Sequence, residues 1–103
     1  TWGWMVGDEG RGVPTIIEMV NHTRLDCVIG SSALMRQALA QAVHHGTQRS
    51  AFGKPLIQQP LMRNVLADLA LESEAATTVM MRLARGYGLA EVDSREAALM
   101  RIA

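Results

Sequence analysis

Apolar side chains recur with a helical period in two long stretches of this chain. In residues 23–47 they follow one another at spacings of three and four, with polar side chains on the opposite face. The first set is Leu25, Val28, Ile29, Met35, Leu39, Ala42 and Val43. The second set, within residues 60–87, is Leu61, Val65, Leu66, Leu69, Ala76, Val79, Met80 and Leu83. The pattern predicts two amphipathic helices, each roughly 40 Å long at 1.5 Å per residue.

The segments that flank these helices predict further elements. Residues 1–12 indicate a short extended segment followed by a glycine-rich turn, after which Pro14 suits the first turn of a helix. That helix either stops at residues 21–23 or continues into the first long one. Gly86 and Gly88 predict the end of the second long helix, and Asp93 is the expected cap of a third.

The predicted fold class is all-α: a partial helical up-down bundle with a short extended N-terminal segment. Residues 1–12 form that segment and its turn, and residues 13–103 form the bundle domain. Small residues at positions 30–33 would allow another helix to approach closely. Two long helices and the start of a third cannot enclose a bundle core, and the chain stops inside an apolar segment. We therefore expect a piece of a larger protein, or one that completes its core with other copies of itself.

Composition narrows the possible classes of protein. Nearly half of the 103 residues are hydrophobic but only 4% are aromatic, which favours helix over sheet. Ten basic and ten acidic residues cancel, so no charge footprint for nucleic acid or an anionic membrane is visible. The apolar runs are shorter than a membrane span, and no targeting leader is recognisable. A single cysteine, Cys27, fits a reducing compartment, and the expected location is cytoplasmic.

The connection between the long helices holds the candidate chemistry. Where a short polar turn would suffice, residues 48–60 carry Arg49, Phe52, a Gly, two prolines and three glutamines. A guanidinium that can grip a phosphate beside an aromatic face suits an anionic ligand with a planar ring. The alternative is a helix stop at Gly53 and Pro55, with Phe52 in the core and Arg49 in solvent.

Other candidate sites fail on spacing. His44 and His45 are adjacent on a helix and point about 100° apart, so they cannot share a metal at usual geometry. Ser31 and Ser32 follow Gly30 but lack the full Gly-x-Ser-x-Gly pattern of a nucleophile elbow. The glycines of residues 7–12 match neither a dinucleotide-binding nor a phosphate-loop motif. We expect no metal site.

Several motifs in order resemble the acyl-CoA dehydrogenase family of flavoproteins. They are Gly-Asp-Glu-Gly-Arg-Gly at 7–12, an Arg in the following helix, Arg-x-x-Phe-Gly-x-Pro at 49–55, and Leu-Ala-Asp-Leu-Ala at 66–70. The resemblance covers essentially the whole chain and implies the first half of that family's C-terminal four-helix domain. Thr-Arg-Leu-Asp-Cys at 23–27 and the stretch 52–63 look like the AidB-type branch, linked to the adaptive response to alkylation damage.

The resemblance implies FAD as cofactor. It places Arg49 on the pyrophosphate of a neighbouring protomer's FAD and Phe52 against the adenosine part, with Gln59 as a polar contact. Pro60 departs from the family, most members of which have Gln at that position. A homo-oligomer, dimer or tetramer, is implied as well.

The resemblance also implies α,β-dehydrogenation of an acyl-CoA thioester, with an electron acceptor that the motifs do not identify. Asn21 and Arg24 fall on the substrate-contacting stretch, although most members have Asp where this chain has Asn21. Arg24 could instead form a structural ion pair with Asp26 or Glu18. Some relatives carry the catalytic base at the position of Thr23, which cannot serve as one. No catalytic residue is assigned, and the fragment alone is expected to be inactive.

Two alternatives to the dehydrogenase remain open. One is an AidB-like flavoprotein of the alkylation-damage response that binds DNA elsewhere in its chain. The other is a helical oligomerisation module without a ligand, in which Arg49 and Phe52 only pack and cap.

Overall fold

The chain folds into two long helices, a hairpin between them and a short third helix. The computed structural model describes residues 1–89 and 94–102. The elements are α1 (Gly12–Gln48), β1 (Ser50–Ala51), β2 (Lys54–Pro55), a 3₁₀ turn (Leu56–Gln58), α2 (Pro60–Leu89) and α3 (Ser94–Ile102). The all-α class is confirmed. The two short strands form an antiparallel hairpin that the sequence did not predict.

Helix α1 is one uninterrupted element of 37 residues. Residues 21–23 lie inside it, so the helix that begins near Pro14 merges with the first long one. Within the helix, the Thr23 hydroxyl donates to the Val20 carbonyl at 2.9 Å, in the preceding turn. The turn before α1 requires Gly7, where φ is +78° and an added Cβ would lie 2.7 Å from Thr15 Oγ1.

The long helices pack antiparallel, with contacts from the hairpin to the last turn of α2. Near the hairpin, a Cβ added to Gly46 would lie 3.6 Å from the Leu66 side chain. In the middle, Ser32 Oγ lies 3.2 Å from Thr77 Oγ1. Ser32 is buried, as expected for a small residue at a close approach between helices.

The end of α2 differs from the prediction in one respect. Gly86 and Gly88 lie inside the last turn, because the helix continues to Leu89, and Gly86 is buried. Glycine's low helix propensity is outweighed here by the packing of that turn. Helix α3 is joined to α2 by a bidentate ion pair between Arg82 and Glu96. The expected cap, Asp93, lies outside the described residues.

Little apolar surface is enclosed. Among the described residues, Leu66 is the one buried hydrophobic side chain, at 8% exposure. The radius of gyration is 21.0 Å, compared with about 13 Å for a compact domain of this length. Much of each apolar stripe, including Leu61 and Val79, is exposed. None of the described helices is long and apolar enough to cross a membrane.

Candidate functional site

The connection between α1 and α2 is a tight β-hairpin. Ser50 pairs with Pro55 and Ala51 with Lys54, which leaves Phe52 and Gly53 as a two-residue turn. Both turn residues have positive φ, +53° at Phe52 and +78° at Gly53. Positive φ at both central positions is the geometry of a type I′ turn, whose twist matches that of paired strands.

Pro55 fits this hairpin because of its register. Leu56 N–H donates to the Arg49 carbonyl at 2.8 Å, which makes that pair a hydrogen-bonded rung of the ladder. Rungs alternate in an antiparallel pair, so the next pair, Ser50 and Pro55, lies at a non-hydrogen-bonded position. The missing N–H of proline is therefore not needed there.

The ring of Phe52 is almost fully in solvent, at 98% exposure. The alternative interpretation, in which Phe52 packs in the core, is therefore wrong. So is the helix stop at Gly53 and Pro55, because α1 already ends at Gln48. A left-handed backbone costs a non-glycine residue about 1–2 kcal/mol. The chain thus holds a strained aromatic residue at its surface without burying the ring.

Arg49 lies at the base of the hairpin, where α1 ends. Its N–H donates to the His45 carbonyl at 2.9 Å and its carbonyl accepts from Leu56, so both main-chain groups are used. Its side chain is exposed. No carboxylate among the described residues pairs with it. The guanidinium therefore remains available to an anion.

Gln59 is half-buried behind the turn. Its side-chain Nε2 donates to the Ala51 carbonyl at 3.0 Å, next to Phe52. Its own N–H donates to the Leu56 carbonyl at 2.9 Å. Its side chain is thus tied to the hairpin, while none of the described residues donates to its Oε1.

Charge is segregated along the chain. Residues 27–67 contain four basic and no acidic residues, whereas the rest of the chain has six basic and ten acidic ones. That stretch comprises the second half of α1, the hairpin and the first turns of α2. The hairpin end is therefore the positive pole of a neutral molecule, and it favours anionic ligands. Net charge alone had concealed this asymmetry.

Asn21 and Arg24 lie in the other half of α1, and both are exposed. Neither Glu18 nor Asp26 pairs with Arg24, so the alternative of a structural ion pair with either of them is wrong. About 37 Å of helix separates Arg24 from Arg49 at 1.5 Å per residue. The structure does not bring the two predicted groups of site residues together.

Tyr87 is a residue at this second location that the sequence analysis missed. Its hydroxyl donates to the main-chain carbonyl of Asn21, and its ring lies 5.5 Å from that of His22. These contacts tie the end of α2 to the predicted substrate stretch. A helix-to-helix contact over 66 residues leaves no local signal in the sequence.

Metal binding finds no support at either location. No group of three or more His, Cys, Asp or Glu within the described ranges could hold a metal ion. His44 and His45 remain ordinary helix positions on α1.

Comparisons with known proteins agree with the motifs. Residues 10–103 match the family model described as acyl-CoA dehydrogenase, C-terminal domain. AidB of Escherichia coli, named as a candidate acyl-CoA dehydrogenase, is 47% identical to this chain over 100 residues. The match covers 97% of this chain and 18% of the length of AidB. Acyl-CoA dehydrogenase family member 11 of Caenorhabditis elegans is 31% identical, over 94% of this chain and 16% of that protein. A short-chain-specific acyl-CoA dehydrogenase of Megasphaera elsdenii is 31% identical, over 78% of this chain and 21% of that protein.

The chain spans about a fifth of the length of these relatives. The matched region includes both long helices, the hairpin and α3. Members of the matched family are flavoprotein oxidoreductases that in general depend on FAD. This chain belongs to the acyl-CoA dehydrogenase family, and residues 10–103 correspond to its C-terminal helical domain.

Proposed function

We propose that this chain is the part of an FAD-dependent acyl-CoA dehydrogenase-like oxidoreductase that delivers cofactor contacts across a subunit boundary. The observation that carries the proposal is the hairpin. It holds Phe52 exposed in a strained turn near Arg49, which pairs with no carboxylate of the described residues, and it lies within the acid-free stretch 27–67. Strain of this kind persists where the surroundings enforce it and is frequent at ligand sites.

The chemistry of these side chains fits FAD. The pyrophosphate is dianionic, and an exposed guanidinium can donate two charge-assisted hydrogen bonds to it. The adenine is planar and apolar on its faces, and an exposed phenyl ring offers stacking area. The Oε1 of Gln59, which no described residue contacts, can accept a hydrogen bond from a ribose hydroxyl.

The distance between the two predicted groups supports a site shared between protomers. Arg24 and Arg49 are separated by most of a long helix. On this proposal, the two ends of α1 therefore serve different parts of the assembly. In the proposed arrangement, the hairpin reaches the FAD of a neighbouring protomer. Asn21 and Arg24 contact acyl-CoA elsewhere, where Arg24 offers positive charge to phosphate and Asn21 one hydrogen bond to an amide. The proposed assembly is a dimer or tetramer, and its proposed location is cytoplasmic.

The reaction proposed for the complete protein is α,β-dehydrogenation of an acyl-CoA. FAD supplies the hydride acceptor when bound. This chain is proposed to bind and orient the ligands, with the proton acceptor elsewhere in the complete protein. Thr23, at the position where some relatives carry the base, is a threonine whose hydroxyl donates to the Val20 carbonyl. The fragment by itself is therefore expected to be inactive.

A second candidate is favoured by the degree of similarity to one relative. Identity is 47% to Escherichia coli AidB, against 31% to the two other relatives named above. On this candidate, the complete protein is an AidB-type flavoprotein of the alkylation-damage response with DNA contacts elsewhere in its chain. Salt-dependent DNA binding by the complete protein that survives loss of the hairpin charges would support it.

The test of the proposed function is flavin retention by the complete protein. Arg49→Ala should weaken FAD binding by on the order of 1–3 kcal/mol, since a charged hydrogen-bond donor is removed. Arg63→Ala is the matched control, because it removes an exposed basic residue from the same acid-free stretch. Equal flavin content and equal FAD dissociation rates in wild type and Arg49→Ala would contradict the proposal and favour the ligand-free oligomerisation module.

A further inference from the structure

We propose that Gln59 is a positioning residue, which holds the Phe52–Gly53 turn in place through its side-chain amide and thereby fixes where the Phe52 ring stands. This inference rests on the proposed function for its consequence in FAD binding. The claim that Gln59 holds the turn in place concerns the hairpin alone and does not depend on FAD. The observation behind it is the 3.0 Å hydrogen bond from Gln59 Nε2 to the Ala51 carbonyl.

The hairpin needs an additional support because its ladder is very short. Each strand has only two residues. An isolated two-stranded hairpin is only marginally stable in water. The hydrogen bond from Gln59 joins the strand residue that precedes Phe52 to the start of α2, outside the ladder itself.

The turn also stores strain that must be opposed. Phe52 has φ of +53°, a conformation that bulky side chains rarely adopt. A residue in such a conformation stays there only when its neighbours over-determine it. The hydrogen bond to Ala51 acts on the peptide group that links Ala51 to Phe52, which is where the chain enters the left-handed region.

Gln59 is itself well fixed. Its N–H donates to Leu56 at 2.9 Å, and its carbonyl accepts from the Arg63 N–H at 3.0 Å. Because it precedes Pro60, its backbone is restricted to the extended region, and its ψ of 129° agrees. A side chain on such a fixed backbone can hold the hairpin at a constant position relative to the start of α2.

The neighbouring Gln58 provides a matched control. It has the same side chain, lies one residue away in the 3₁₀ turn and is exposed. Within the described part of the chain, its side chain makes no hydrogen bond. Gln59→Met and Gln58→Met therefore make the same chemical change, with and without loss of the hydrogen bond to Ala51.

The first measurement is amide hydrogen exchange of residues 50–56 in the complete protein without added ligand. Gln59→Met should speed exchange there by about threefold to tenfold, the change in population that one net hydrogen bond controls. Gln58→Met should leave exchange unchanged. Unchanged exchange in Gln59→Met would overturn the proposal. If that variant fails to fold, Gln59→Asn, which withdraws the amide by one methylene, should show the same local effect.

The second measurement is the FAD dissociation rate in a double-mutant cycle with Phe52→Gly. Gln59→Met should speed release severalfold in the wild-type background and by a smaller factor in the Phe52→Gly background, where only its proposed ribose contact remains to be lost. An equal acceleration in both backgrounds would show that Gln59 acts on the cofactor through that contact alone, and would overturn the positioning role. If Phe52→Gly itself leaves FAD release unchanged, the proposed function fails, while the exchange measurement still decides whether Gln59 holds the hairpin.

Discussion

The hydroxyl group of Ser32 donates to that of Thr77 at 3.2 Å across the seam between α1 and α2. The direction follows from the second bond in the chain, because Thr77 Oγ1 already donates its hydrogen to the Ser73 carbonyl at 2.8 Å. Ser32 and Ser73 are each 4% exposed. Small polar residues with satisfied hydroxyls thus set the closest approach of the two helices.

Replacement of Ser32 by a large residue should push the helices apart. Ser32→Leu is expected to destabilise the complete protein by about 1–3 kcal/mol, because it overpacks the seam and leaves Thr77 without its donor. Ser31→Leu, at the exposed neighbouring position, should cost much less. Urea unfolding of both variants measures the difference, and equal midpoints would show that the seam does not limit side-chain volume at residue 32.

Phe52→Gly should raise stability while it lowers cofactor retention. Glycine removes a left-handed strain of about 1–2 kcal/mol but costs about 0.5–1 kcal/mol in chain entropy, so a small net gain remains. The loss of the ring should speed FAD release. Phe52→Ala is the control, since it removes the ring and keeps the strain. If the thermal unfolding midpoint of Phe52→Gly is at or below that of Phe52→Ala, the claim that the positive φ at residue 52 destabilises the protein is wrong.

The ion pair between α2 and α3 should make their contact sensitive to acid. Arg82 Nη1 and Nη2 donate to the two carboxylate oxygens of Glu96 at 2.7 and 2.6 Å, and the side chains are 48% and 14% exposed. These hydrogen bonds hold the pKa of Glu96 below its ordinary value of 4.5 and raise the pKa of Arg82. A lowered carboxyl pKa contributes stability that is present at neutral pH and lost as pH falls below 4.5 through the lowered pKa.

The comparison of wild type with Glu96→Gln across pH tests this linkage. At pH 7 the wild type should have the higher thermal unfolding midpoint, and the difference should shrink as the pH falls from about 5 to 3. A carbon-detected titration of the Glu96 carboxyl by NMR gives the pKa directly. An ordinary carboxyl pKa, or a pH-independent difference between the two proteins, would count against the ion pair.

The chain in isolation should associate. Its radius of gyration exceeds that of a compact domain, and exposed apolar residues lie along both long helices. Uncovered apolar area of this extent marks interfaces. We expect sedimentation to show a dimer or tetramer, with helix packing as the stabilising contact. A well-folded monomer at high micromolar concentration would contradict this expectation.

The helices could be read from the sequence because their signal is local and repeated. The three-four spacing of apolar residues predicted two long antiparallel helices, and both are present. The hairpin could not be read in the same way. Type I′ turns are recognised by Asn-Gly or Asp-Gly, whereas here the pair is Phe52-Gly53, and Phe has no local preference for positive φ. The turn is imposed by its surroundings, of which the Gln59 amide is one part.

Arg49 and Phe52 stand out in the connection itself, whereas Gln59 and the roles of all three come from the resemblance. Resemblance gave Arg49, Phe52 and Gln59 as one group without their geometry. The structure distinguishes a cation that pairs with no described carboxylate, an exposed strained ring and an amide that is tied to Ala51. Contacts such as that of Tyr87 with Asn21 depend on how two helices align, and no spacing in the sequence encodes them.

The separation of Arg24 from Arg49 along one helix has a consequence for assemblies of mixed composition. On the proposed arrangement, each working site draws its substrate contacts from one polypeptide and its hairpin from another. A polypeptide defective at Arg24 and one defective at Arg49 are each inactive as pure assemblies. When the two are co-expressed and assemble together, some sites combine the intact Arg24 of one polypeptide with the intact Arg49 of the other. Two damaged copies of one gene would then restore each other's activity, as in intragenic complementation.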